Sequence, residues 1–176
     1  PHVEGQRITQ VQVFEPRLRW PVDPGLAQVL TGLTVARLER RAKYLLFRLG
    51  AGALMVHLGM SGSLQLKHPP FERLRHDHVL LTLESGAVLV FNDPRRFGSL
   101  HWLGTAPEDH RLLAHLGPEP LSPAFHGAYL AAQAKSRSAP VKAFLMDGPV
   151  VVGVGNIYAT EALFLAGIQP RRPARR

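Results

Sequence analysis

The sequence predicts an α+β fold, with an antiparallel β-sandwich over residues 1–104 followed by an all-helical unit over 105–176. Three observations carry this. Short apolar segments recur through the first hundred residues, each bounded by Gly, Pro or charge. After Gly104 the texture changes to longer stretches with helix start and stop signals. Finally, 45% of the 176 residues are hydrophobic, enough for a buried core.

In chain order, ITQVQVF (8–14) opens the sheet half, and DPGLAQVLTG (23–32) is its one inserted short helix. KYLLFRL (43–49), ALMVHL (53–58), SLQLKH (63–68), HVLLTL (78–83), AVLVFN (87–92) and SLHWL (99–103) are the further strands. Beyond Gly104, PEDHRLLAHLG (107–117) starts with Pro and acid and stops at Gly, as a helix does. SPAFHGAYLAAQAK (122–135) offers Ser122 as N-cap and Pro123 at the first helical position. APVKAFLMD (139–147) repeats the pattern more briefly. NIYATEALFLAG (156–167) begins on a capping-type Asn and ends on Gly, with Ile157, Ala162, Phe164 and Leu165 expected as its apolar face.

Charge narrows the function classes. Lys and Arg number 21 against 13 Asp and Glu, a net +8, which points to an anionic partner, nucleic acid above all. No stretch approaches the roughly 20 apolar residues of a membrane helix. The first residues, PHVEGQRITQ, are polar and do not read as a signal peptide. There is no cysteine, so disulfides, thiol chemistry and cysteine-held zinc are excluded within this chain. A cytoplasmic location is the expectation.

One stretch stands apart. GPVVVGVGNIYATEALF (148–164) breaks an apolar run at Gly153 and Gly155 and resumes at once with helical spacing. The first amides of a helix lack internal partners and carry the positive dipole end, so Gly155 and Asn156 form a candidate anion grip. A plain Gly-rich turn is the local alternative. A P-loop is excluded because no Lys-Ser/Thr follows, and a Rossmann unit because no crossover strand follows.

RRAKYLLF (40–47), HLGMSGSL (57–64), DPRRFGSLHW (93–102), LGPEPLS (116–122) and LMDGPVVVGVGNIYATEALF (145–164) together resemble the bacterial formamidopyrimidine-DNA glycosylase family. The motifs occur in order and nearly end to end. The resemblance implies a β-sandwich catalytic-type domain (1–104) and a helix–two-turns–helix DNA-binding domain (105–176), whose two turns hold a DNA phosphate. It implies base-excision repair by a bifunctional glycosylase and abasic-site lyase that removes oxidised purines such as 8-oxoguanine and formamidopyrimidines. Two departures are expected. The family's nucleophilic proline and adjacent Glu find no match in Pro1 and His2, and its four-cysteine zinc finger finds none before Arg176. The chain therefore reads as lacking both ends and as an incomplete catalyst, with zinc expected only in a full-length member.

Carried over by position, Met60, Arg95 and Phe97 are the wedge that fills the gap left by an extruded base. The residue types suit that role, since Met fills irregular space, Phe slides between base steps, and Arg hydrogen-bonds the orphaned base. Lys43 is the DNA contact that assists elimination, and His76, Arg137 and Lys142 are further DNA contacts. His76 and His78 also share one face of a strand, as metal ligands do, although no third ligand follows by spacing. The expected partner is duplex DNA with oxidised purines or abasic sites, met by a monomer near the nucleoid. The rivals are a non-catalytic DNA-binding module, an endonuclease VIII-type glycosylase for oxidised pyrimidines, and a basic ribosome-associated protein.

Overall fold

The computed structural model describes residues 2–50 and 52–176; the expectation for Pro1 lies outside the described residues. The chain divides into two compact units, Pro1–Pro107 and Glu108–Arg176.

The first unit contains strands β1 (Ile8–Val13), β2 (Val35–Arg41), β3 (Tyr44–Leu49), β4 (Gly52–His57), β5 (Ser63–Lys67), β6 (Asp77–Leu83), β7 (Val88–Asn92) and β8 (Ser99–Trp102), with helix α1 (Leu26–Leu30) after β1. They form two antiparallel four-stranded sheets, ordered β1-β6-β7-β5 and β2-β3-β4-β8. One core lies between them. Val79, Leu81 and Leu83 of β6 and Phe91 of β7 meet Phe47 and Leu49 of β3 and Leu54 and Val56 of β4, all nearly solvent-free. Strand alternation sends Leu80, Val88 and Val90 to the opposite face, where Phe71 packs against them. Helix α1 contributes Leu26 and Leu30 to the main core.

Strand β2 is absent from the sequence expectation. Its residues, VARLERR, carry four charges, so no apolar run marks it. It is an edge strand that buries only Val35 fully and spends its charges on solvent and on Arg48–Glu39 pairing with β3.

The second unit has helices α2 (Gly127–Ala134), α3 (Val141–Leu145) and α4 (Asn156–Leu165). Phe144, Val150 and Val151 form its buried centre, with Phe125, Leu130 and Val154 packed around. Three expectations need correction. The helix expected over 107–117 reduces to a 3-10 turn, Pro107–Asp109, and irregular turns. Leu113 alone of its leucines is fully buried, too little apolar contact to hold so short a helix. Ser122 does not cap α2: its Oγ donates to the Glu119 carbonyl at 2.8 Å, closing a turn that lets Phe125 reach the core. His126 caps instead, its Nδ1 accepting from the Tyr129 amide. In α4 the buried residues are Ala159 and Leu163, one turn apart, while Ile157, Ala162, Phe164 and Leu165 are exposed. A helix apolar around most of its girth does not reveal by periodicity which stripe is packed.

No helix among the described residues is long and apolar enough to cross a membrane.

Candidate nucleic-acid interface

Sheet register builds the first site. Tyr44 pairs with His57, and His57 with Ser99, across β3, β4 and β8. The residues just past these ends therefore gather at one edge: Lys43 before β3, Gly59 and Met60 after β4, and Arg96 and Phe97 before β8. With Arg19 and His57 they line a cavity of about 740 Å³.

Close backbone contact locks the two loops there together. Gly59 has φ +68°, and a Cβ on it would lie 2.6 Å from the Phe97 carbonyl carbon. Gly98 is reciprocal: its Cβ would lie 2.6 Å from the His57 carbonyl oxygen. Only glycine fits at either place. Asp93, fully buried, supplies the polar tie. Its carboxylate accepts from the Ser61 hydroxyl at 2.7 Å and from the Gly98 amide at 2.7 Å. Ser61 Oγ in turn accepts from the Arg95 amide at 3.3 Å. The Asp93 carbonyl takes the Arg96 amide at 3.2 Å and His78 Nε2–H at 2.8 Å. Arg96 itself sits at φ +57°, a conformation that side chains resist, and these bonds hold it there.

On this braced platform the apolar side chains face outward. Met60 is 75% exposed and Phe97 41%, so neither is core. The Arg95 guanidinium lies over the Phe97 ring, 4.5 Å from its centroid. Lys43 is exposed, in the hairpin turn after Ala42 (φ +55°). His57 is half-buried, its ring 5.2 Å from Tyr44, and its Nδ1 accepts from the Gly59 amide at 3.2 Å. Burial, followed by the charges of Arg19 and Lys43, lowers the His57 pKa, with Asp93 opposing. The imidazole is thus neutral near pH 7, with the proton on Nε2.

His76 belongs to a neighbouring hollow, with its ring 6.1 Å from that of His78. His78 is 4% exposed and tied to the Asp93 carbonyl, so it braces the loop. Among the described residues no group of three or more His, Cys, Asp or Glu could hold a metal, so His76 and His78 have no third ligand beside them.

In the second unit, Val150, Val151 and Val152 are buried to within 1%. The Val152 amide bonds the Pro118 carbonyl, and Tyr129 Oη donates to the Val150 carbonyl at 3.0 Å. The apolar run is therefore an anchor, and the chain leaves it through Gly153 at φ +76°. Gly155, at φ −110°, is ordinary extended backbone, so the freedom expected of both glycines is used only at Gly153. Gly155 is the N-cap of α4 and Asn156 its first helical residue, not its cap. Asn156 is exposed, and the first amides of α4 point out beside it. Lys142 lines a separate cavity of about 560 Å³ with Met146 and Arg171. Arg137 is exposed and faces Asp147 at 3.9 Å.

Met60, Phe97 and Lys43 thus share one hollow, with Arg95 on the same loop; His76 lies in the adjoining one. Asn156, Gly155, Lys142 and Arg137 belong to the helical unit. His57, Arg19, Ser61, Asp93 and Arg96 were missed by sequence reasoning. The signal for His57 is a polar residue closing the buried strand ALMV; for Asp93 it is an acid followed by Pro and, five residues on, a Gly.

By fold and site, then, the chain is a two-unit α+β protein whose β-sandwich ends in a cationic hollow with outward apolar side chains. Family models described as the formamidopyrimidine-DNA glycosylase N-terminal domain and H2TH domain match residues 1–100 and 116–176. The chain is 55% identical over 174 residues to a formamidopyrimidine-DNA glycosylase of Hahella chejuensis, covering 99% of this chain and 64% of that protein. To the enzyme of the same name in Pseudomonas aeruginosa it is 54% identical, again over 99% of this chain and 64% of the relative. The structure of the Lactococcus lactis protein with DNA containing a formamidopyrimidine lesion superimposes with a TM-score of 0.90 at 30% identity, covering 99% of this chain and 66% of that one. The chain belongs to the formamidopyrimidine-DNA glycosylase family.

Proposed function

We propose that this chain serves base-excision repair, gripping damaged duplex DNA and extruding an oxidised purine for glycosylase and abasic-site lyase chemistry. One observation carries the reading: exposed Met60 and Phe97 stand side by side on a braced platform, ringed by Arg19, Lys43, His57 and Arg96. Exposed apolar side chains among cations suit a nucleic-acid stack flanked by phosphates, since each base step lost costs a few kcal/mol and needs a filler. Arg95 supplies the donors for the base left behind.

Cations and outward amides take the backbone. Lys43 and His57 Nε2–H hold phosphate oxygens beside the extruded nucleotide; Asn156 and the amides opening α4 hold another. Arg137, Lys142 and His76 add contacts along the duplex. In the lyase route an amine attacks the sugar C1′ and the base departs; the imine so formed acidifies the neighbouring C–H, and Lys43 assists the proton transfers of elimination. The partner is duplex DNA with oxidised purines or abasic sites, bound by a monomer in the bacterial cytoplasm. The Lactococcus lactis relative has also been solved with DNA containing an oxidised pyrimidine, so an oxidised pyrimidine belongs among the substrates tested.

The test is binding to an abasic duplex and to its intact counterpart across salt, with borohydride trapping on the abasic one. Preferential abasic binding and a salt slope near −4.5 for about five phosphates are expected, and a covalent adduct would show that an amine of this chain acts in the lyase step. Preference without an adduct would reduce the chain to a damaged-DNA-binding module. A flat salt response, or equal affinity for RNA, would overturn the reading.

A further inference from the structure

The chain has three methionines and no cysteine, so thioethers are the first sulfur a two-electron oxidant meets. The fold sorts them by access. Met55 of β4 is fully buried, Met146 just after α3 is 41% exposed, and Met60 is 75% exposed. The exposure of Met60 is built in. It stands at the tip of a turn that the Gly62 amide closes on the Leu58 carbonyl at 2.9 Å. Gly59 before it is pressed against the Phe97 backbone, and Ser61 after it is tied to Asp93. The backbone is held on both sides while the thioether meets solvent.

Peroxide chemistry at such a sulfur is direct. The sulfur lone pair attacks one oxygen of hydrogen peroxide, and the S–O bond forms as the O–O bond breaks. The departing hydroxide takes the remaining proton, giving one sulfoxide and one water. Sulfur is oxidised by two electrons and the peroxide is reduced. The cavity that Met60 lines also holds Arg19, Lys43 and Arg96, whose positive charge favours the loss of hydroxide. The product differs mainly in polarity. A base stack offers the new oxygen no donor, so entry would bury it unpaired. The guanidiniums of the hollow do offer donors, which draws the oxidised side chain back toward the protein.

We infer that Met60 is a site of reversible oxidation by peroxides, and that its sulfoxide disarms the wedge. The second half rests on the function proposed above. The class of oxidant that damages bases then also pauses their extrusion. A sulfoxide reductase drawing electrons from a dithiol lifts the pause, returning the thioether with release of water and leaving the dithiol as a disulfide.

The experiment treats the chain with hydrogen peroxide, maps its peptides by mass spectrometry, and reads 2-aminopurine placed opposite an abasic site. Met60 should gain oxygen before Met146, and Met55 should gain none. The 2-aminopurine signal at saturation should fall severalfold in step with Met60 sulfoxide, and affinity for the abasic duplex by roughly tenfold. Sulfoxide reductases for both epimers, with dithiothreitol, should restore both. In Met60→Leu, whatever its starting signal, peroxide should cause no further loss, whereas Met146→Leu should remain sensitive. Met60→Gln, with a permanent side-chain oxygen, should show the low signal without oxidant.

Oxidation of Met146 with Met60 intact would overturn the site. Full oxidation of Met60 with an unchanged signal, or an equal loss in Met60→Leu, would overturn the disarming. So would a urea midpoint that drops on treatment, since the loss would then be unfolding. Should the untreated parent fail to prefer the abasic duplex, the repair reading falls and the disarming with it, while the peptide map still decides the site.

Discussion

Removing the Asp93 carboxylate tests the bracing of the wedge most directly. In Asp93→Ala the Gly98 amide and the Ser61 hydroxyl both lose their acceptor, and the Gly98 amide lies where water does not reach. Two hydrogen bonds to a charged group, at about 1.5–3 kcal/mol each, set the cost at about 3–6 kcal/mol. Asp93→Asn keeps an acceptor for Gly98 and turns its amide toward Ser61, so about 1–2 kcal/mol is expected. Both tryptophans, Trp20 and Trp102, lie in the first unit, so urea unfolding followed by their fluorescence reports this unit alone. The Ala variant shifts the midpoint strongly, the Asn variant weakly. Ser61→Ala, which leaves the Gly98 bond intact, costs about 1.5–3 kcal/mol and lowers the 2-aminopurine signal of base extrusion. An Ala variant within about 0.5 kcal/mol of the parent would refute the reasoning, since a surface-like change is all such a value allows.

Met60→Ala/Phe97→Ala, at exposed positions, should leave the urea midpoint within about 0.5 kcal/mol and diminish base extrusion; a large loss of stability would place the pair in the core. Phosphate beside His57 raises a pKa that burial and Arg19 hold low, so binding takes up a proton and log affinity climbs as pH falls from 8 toward 6. His57→Gln should flatten that climb, and an unaltered profile would remove His57 from the interface. In the folded chain the same depressed pKa makes His57 stabilising above the ordinary histidine pKa, and that contribution fades as pH falls below it. Gly153→Ala has open space for its methyl but φ +76°, so about 1–2 kcal/mol of backbone strain is expected in thermal unfolding. Asn156→Ala should weaken binding to every DNA sequence alike, and unchanged affinity at moderate salt would count against the helix-start grip.

Much of this was legible in the sequence, for physical reasons. Strands buried on the sandwich interior announce themselves as apolar runs, and seven of the eight are read within a residue or two of their ends. Strand β2 escaped because an edge can be built from charge. In the helical unit short apolar stretches fit several local structures, and tertiary contacts chose among them: Phe125 delayed α2, and the Ala159–Leu163 stripe selected the packed face of α4. Of the site, the outward side chains were visible because motifs carry them. The bracing was not. Asp93 reaches Ser61 across 32 residues, and neither a carboxylate nor a serine advertises its partner by spacing.

The reciprocal glycines at 59 and 98 have a mechanical consequence. Each loop occupies the space that a side chain on the other would need, so neither can swing without displacing its neighbour. In the proposed role, Met60 and Phe97 would therefore advance into the duplex as a single tool. Stopped-flow traces of insertion should show one concerted phase for both residues, with no half-inserted species between.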